Sequence, residues 1–134
     1  MTKVNVRGGV NGTIERLDKI RAEAPVKLND VVRDGTRAGT TLAKQYASRT
    51  SGKHAKKYPA TITPQMNRPR KSLFGGNIFS GSYGPEARGQ GLLGGILENG
   101  SRNNPAHLNL ARSADVIGPQ FPREVGDVID GLFW

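Results

Sequence analysis

From Ile14 onward, apolar and small residues recur every three or four positions: Ile14, Leu17, Ile20, Ala24, Leu28, Val31, Gly35, Ala38, Leu42 and Tyr46. That spacing places them along one face of a helix, and Glu15, Arg16, Asp18, Lys19, Arg21 and Glu23 fill the other faces. Pro25 removes a backbone donor and disfavours helical geometry at Ala24. The pattern therefore predicts two helices, one near 13–24 and a longer one near 26–48 with Pro25 in its first turn. Gly35 and Gly39 each weaken the second helix by about 1 kcal/mol relative to Ala. As small residues on the packing face, they also permit a close crossing with another backbone.

The remaining segments are shorter. Residues 1–12 are polar and Gly-rich and read as a flexible arm. Residues 48–57 form a polar, basic linker. In YPATITP (58–64), Ala60 and Ile62 alternate with Thr61 and Thr63, a strand pattern bracketed by prolines. Residues 64–72 read as an exposed basic loop. The run 73–84 reads as a strand with a turn or bulge at Gly75-Gly76, and LLGGILENG (92–100) as a buried strand ending in an Asn99-Gly100 turn. Leu108, Leu110, Ala111, Ala114 and Val116 give a helical segment that Pro119 and Pro122 should break. A last short helix from about Pro122 carries Val125, Val128, Ile129, Leu132 and Phe133. The expected fold is α+β: amphipathic N-terminal helices packed on a small, mostly antiparallel β-sheet, with a C-terminal helix, in one domain over 13–134.

Composition narrows the function. The chain has 134 residues, one domain's worth. Its hydrophobic content is 35%, with 18 Gly and 8 Pro, so a small core among long irregular stretches is expected. The absence of cysteine excludes disulfides, thiolate zinc sites and thiol catalysis. His54 and His107 are far apart in sequence. No apolar run approaches the ~20 residues of a membrane helix, and MTKVNVRGGVNG lacks the apolar region of a signal peptide, so cytosolic synthesis without a membrane role is expected. The net charge of +9 is unevenly spread. Residues 1–71 hold 16 basic and 5 acidic side chains, residues 72–134 hold 4 and 6, and no acid occurs from Gly35 to Pro85. Lys53, Lys56, Lys57, Arg68, Arg70 and Lys71 in that stretch are candidate electrostatic contacts for a polyanion or an acidic protein face.

Catalytic signals are weak. Gly89-Gln90-Gly91-Leu92-Leu93-Gly94 matches G-x-G-x-x-G, but no hydrophobic strand precedes it and a Gly-rich segment follows, so a closely packed or flexible loop is the expected role. Nothing in the sequence brings Glu86 and Glu98 together as an acid/base pair. No catalytic residue, cofactor site or metal site is expected. The aromatics near the basic stretch, Tyr46, Tyr58 and Phe74, are sparse for a single-strand stacking platform. At the C-terminus, Leu132, Phe133 and Trp134 must either fold back on the core or dock on a neighbour.

One ordered layout carries a resemblance. Amphipathic helices, a basic linker and a Gly-rich sheet region lead to Leu97-Glu98-Asn99-Gly100-Ser101, then Asn104-Pro105-Ala106-His107, an Ala-rich helix and a short final helix. This resembles the tail-completion, or head–tail joining, proteins of long-tailed bacteriophages, from Ile14 to the C-terminus. Thr50-Ser51-Gly52-Lys53-His54 only approximates that family's turn before the first strand, and Leu108 stands where an aromatic is usual. The resemblance implies a non-enzymatic structural virion protein, assembled in the host cytoplasm. It would form a homo-oligomeric ring in the neck, between a head-completion or connector protein and a tail terminator or tail tube protein. Leu97, Glu98, Gly100 and Pro105, with the terminal Leu132, Phe133 and Trp134, are the candidate subunit or partner contacts. The basic half would face an acidic partner or DNA passing through a channel. A small basic nucleic-acid-binding protein is the alternative.

Overall fold

The computed structural model describes residues 6–73, 75–102 and 105–133, and the fold is α+β. Helix α1 runs from Val6 to Thr50. A 3-10 turn (Lys53–Ala55) and the short α2 (Tyr58–Thr61) lead into four strands: β1 (Ile62–Met66), β2 (Arg70–Lys71), β3 (Asn77–Ile78) and β4 (Gly81–Pro85). A second 3-10 turn (Gly89–Leu93) precedes α3 (Gly94–Asn99), and α4 (Asn109–Phe133) closes the chain. Helices α1 and α4 form an antiparallel pair: Thr50 meets Asn109 at one end, and Arg16 reaches the Phe133 carbonyl at the other (3.2 Å).

The strands make one long β-hairpin. β1 pairs antiparallel with β4, from Ile62 opposite Pro85 to Met66 opposite Gly81, and the Asn67 amide continues the ladder to the Ser80 carbonyl (3.1 Å). β2 then pairs with β3, Arg70 opposite Ile78. Between these pairs Arg68 and Pro69 face the single residue Phe79, which is a bulge and a position where proline's missing donor costs no ladder bond. Gly75 and Gly76, at φ of 83° and 85°, make the turn expected there, a conformation other residues rarely adopt.

Several boundaries correct the expectation. The N-terminal helices are one helix, continuous through Pro25, and residues 6–12 of the expected arm belong to it; residues 1–5 lie outside the described residues. Likewise α4 runs through Pro119 and Pro122, both on its exposed side, where water satisfies the carbonyls left without a donor. Packing of the two long helices on each other outweighs the local cost of these prolines. Residues 58–61 are helical rather than extended, and the strand begins only at Ile62. The expected loop over 64–72 is the outgoing side of the hairpin. The expected strand over 92–100 is a 3-10 turn followed by α3, which ends where Gly100 takes φ 80°. A short apolar run bounded by glycines suits a buried strand and a buried helix equally well.

The core is small and built on small residues. Ala43, Ala47, Ala55, Tyr58 and Ile62 are buried together, with Tyr83, Leu93, Leu97 and Leu110 packed against them. The buried face of α1 is thus displaced from the large side chains of the sequence pattern. Gly39, Thr40, Ala43 and Ala47 point inward, whereas Ile14 and Leu17 are half exposed. Thr36 and Thr40 are buried because each hydroxyl donates to a carbonyl four residues back, Val32 (2.7 Å) and Thr36 (2.8 Å). These small residues let the hairpin lie close on the helix. A Cβ on Gly39 would collide with the Tyr83 ring, and one on Gly81 with the Thr36 hydroxyl. Tyr83 Oη meets Ser113 Oγ of α4 at 2.7 Å, and Ser113 donates to the Leu110 carbonyl (2.7 Å).

Gly39→Ala should therefore destabilise the chain by about 1–3 kcal/mol through overpacking, despite alanine's higher helix propensity. Urea unfolding checks this, and an unchanged or raised midpoint would contradict the close Gly39–Tyr83 approach.

Candidate assembly interface

The sequence places the hairpin's exposed residues in two chemical classes. Arg68, Arg70 and Lys71 are exposed cations on the segment beyond β1. Leu73, at the tip, is fully exposed (100%), and Met66 and Ile78 are partly exposed. Burial falls along β1 from Ile62 to Met66, and beyond Phe79, which still lines the body, the hairpin projects as an arm. At about 3.3 Å per residue, Arg70 to Leu73 spans roughly 10 Å. The six candidate contact cations fall on two separate segments. Lys53, Lys56 and Lys57 are exposed on the 3-10 turn, which Gln90 holds by accepting from the Lys57 amide (2.6 Å) and donating to the His54 carbonyl (3.3 Å). Among the described residues none of the six forms an ion pair.

Helix α4, unlike the net-basic α1, carries the opposite charge. Along α4, Asp115, Glu124, Asp127 and Asp130 are exposed, with Arg123 the one cation between Ala114 and Phe133. None of the four acids forms an ion pair among the described residues. An open apolar groove of about 390 Å³ lies between α1, the hairpin base and α4, walled by Val32, Gly35, Phe79, Ile117, Gly118 and Phe121. Ile14, Leu17 and Val26 of α1, and Val116, Ile129 and Phe133 of α4, are 42–62% exposed, so two helices alone cover only part of their apolar surface.

The motif residues have inward tasks. The Glu98 carboxylate accepts from the Leu110 amide (3.0 Å) and the Ala111 amide (2.9 Å), and so caps the N-terminus of α4. The chain before α4 is clasped to the end of α3: His107 N–H donates to the Leu97 carbonyl (2.9 Å) and Leu108 N–H to the Glu98 carbonyl (3.1 Å). Leu108 takes φ 53° in making this turn, a left-handed conformation that is costly for a leucine. Leu97 packs on the core cluster, Gly100 ends α3, and Pro105 is exposed. Leu132 is half-buried and the Phe133 carbonyl accepts from Arg16, so the C-terminal end of α4 returns to α1; Trp134 lies outside the described residues. The sequence gives little sign of Glu98's role, because a cap normally comes from the residue beside the helix and here arrives from twelve positions upstream.

The glycine motif is structural in the same way. Gly91 is buried with its α-carbon against the Glu86 carbonyl, where a Cβ would clash, and a Cβ on Gly94 would sit 2.7 Å from Pro85. Tyr58 is fully buried, and its hydroxyl and His107 Nδ1 have no hydrogen-bond partner among the described residues. Burial, and secondarily the Glu98 charge, push the Tyr58 phenol above its ordinary value of 10.0. Among the described residues no three His, Asp or Glu side chains gather as a metal site, and no helix is long and apolar enough to cross a membrane. Compared with family models, curated proteins and solved structures, the chain matches none.

Two outcomes follow. Glu98→Ala should cost about 1–2 kcal/mol in urea unfolding, with faster amide exchange at Leu110 and Ala111; unchanged exchange there would contradict the cap. Because the folded phenol's pKa lies above the unfolded one, the Tyr58 contribution is fully present below about pH 10 and is lost as pH rises through the folded value. Tyr58→Phe should therefore flatten the alkaline fall in stability relative to wild type, and parallel curves would contradict it.

Proposed function

We propose that this chain is a structural subunit of a long-tailed phage neck, joining the tail to the DNA-filled head as a member of a ring and working without catalysis. The observation that carries the reading is surplus surface. The chain exposes 9981 Å², whereas a compact monomer of its 14.4 kDa would expose about 6,800 Å². The excess, roughly 3,000 Å², is the scale that permanent assemblies bury between subunits. Among the described residues it is accompanied by a projecting arm, a half-covered helix pair and two sets of opposite charge that form no ion pairs. The layout that resembles the tail-completion proteins supplies the setting, a ring between a head-side connector and a tail terminator or tube protein, in the virion.

The exposed cations of the arm and of the 3-10 turn favour a second reading, a small nucleic-acid-binding protein. Its signature is duplex or single-strand binding that weakens steeply with salt.

Quantitative peptide mass spectrometry on gradient-purified particles encoding the chain tests the first reading. The expected result is a few copies per particle, on the scale of one ring. Absence from finished particles, together with salt-sensitive DNA binding by the free chain, would replace it with the second.

A further inference from the structure

Three observations point to the same contact. First, the arm carries cations (Arg68, Arg70, Lys71) around an apolar end (Leu73, with Met66 and Ile78). Secondly, α4 carries acids that form no ion pair among the described residues, Glu124 lying one turn beyond Phe121 of the apolar groove wall and Asp127 and Asp130 further along the helix. Thirdly, the arm does not reach those acids within its own chain: its base, at Phe79, lines the groove, while Arg68, Arg70, Lys71 and Leu73 are solvent-exposed and the three cations form no ion pair among the described residues.

We propose that the arm of one copy docks on the α1/α4 pair of a second copy. Leu73 and its apolar neighbours cover the groove side of α4, and Arg68, Arg70 and Lys71 pair with Glu124, Asp127 and Asp130. The occupant is a second copy because both halves of the match lie on this chain and neither the cations nor the acids form an ion pair among the described residues. A phosphate backbone would use the cations but leave the apolar tip in water, whereas a mixed apolar and acidic helix face uses both. The contact is heterologous, arm to helix pair, so each copy offers one donor and one acceptor surface and repeated copies grow head-to-tail until the rotation closes. This names the interface of the ring reading and rests on it for its setting; the contact itself rests on the charges and surfaces described above.

The test uses the full-length chain in sedimentation velocity. The wild type should associate with rising concentration, and added salt should weaken the association. R68E/R70E/K71E alters only exposed side chains of the arm, so circular dichroism and the unfolding midpoint should be unchanged while self-association weakens by at least about tenfold, the size expected for losing close charge pairs. E124K/D127K/D130K should weaken it likewise, and mixing the two variants should restore a complex, because the reversed arm then meets a reversed helix. A photo-reactive residue at position 73 should cross-link to α4 of a different copy, read as mixed-isotope peptides from labelled and unlabelled chains. A wild type that stays monomeric, variants that associate as the wild type does, no rescue on mixing, or loss of DNA binding with self-association intact would each overturn the proposal. Failure of the arm contact would leave a ring-scale copy number in particles untouched, and self-association through the arm in a chain absent from particles would remove only the neck reading.

Discussion

Tyr83 is the residue through which the three parts of the molecule touch. Its ring lies on Gly39 of α1 and its hydroxyl meets Ser113 of α4, while its backbone pairs with Pro64 in β1. The arrangement works only because α1 is small at this point: Thr36, Gly39, Thr40 and Ala43 let the hairpin approach, and the threonines satisfy their own hydroxyls within the helix. Beside this contact, Tyr58 and Ile62 close against Ala43 and Ala47, and Glu98 fixes the start of α4. One end of the molecule is thereby packed and hydrogen-bonded.

The other end follows from the same geometry. Two antiparallel helices share one seam, so their outward apolar residues stay half exposed once they leave the body. A hairpin that is pinned at its base by Tyr83 and lengthened by a bulge at Arg68-Pro69 must project beyond it. The surface left over is divided by charge, basic on the arm and acidic on α4. A lone subunit gains nothing from that division, whereas identical subunits in head-to-tail contact use both halves at once.

Much of this was legible in the residues. The helical character of α1 and of the C-terminal region, the Gly75-Gly76 turn and the acid-free basic stretch follow from spacing and composition, whereas the buried face of α1 does not. The boundaries at proline did not, because the cost of an interior proline is local and readable, while the packing that offsets it comes from a helix some ninety residues away in α1's case. α3 escaped for a different reason: the six residues GGILEN carry no period long enough to separate helix from strand. Glu98 was singled out as a contact residue, and the structure gives it a capping task inside the subunit. That task depends on the chain's return over His107 and Leu108, which no local pattern announces. The unpaired acids of α4 were visible only as a slight negative balance until the helix placed them on one exposed element.

The account's central claim is that association covers surface which a single chain leaves open. Hydrogen exchange on the full-length chain, measured across a range of protein concentrations, tests this directly. Amides around 66–78 of the arm and 116–133 of α4 should exchange quickly in dilute solution and become protected as concentration rises, while the packed region around 43–62 stays equally protected throughout. Exchange that is independent of concentration in the arm and in α4 would contradict the account.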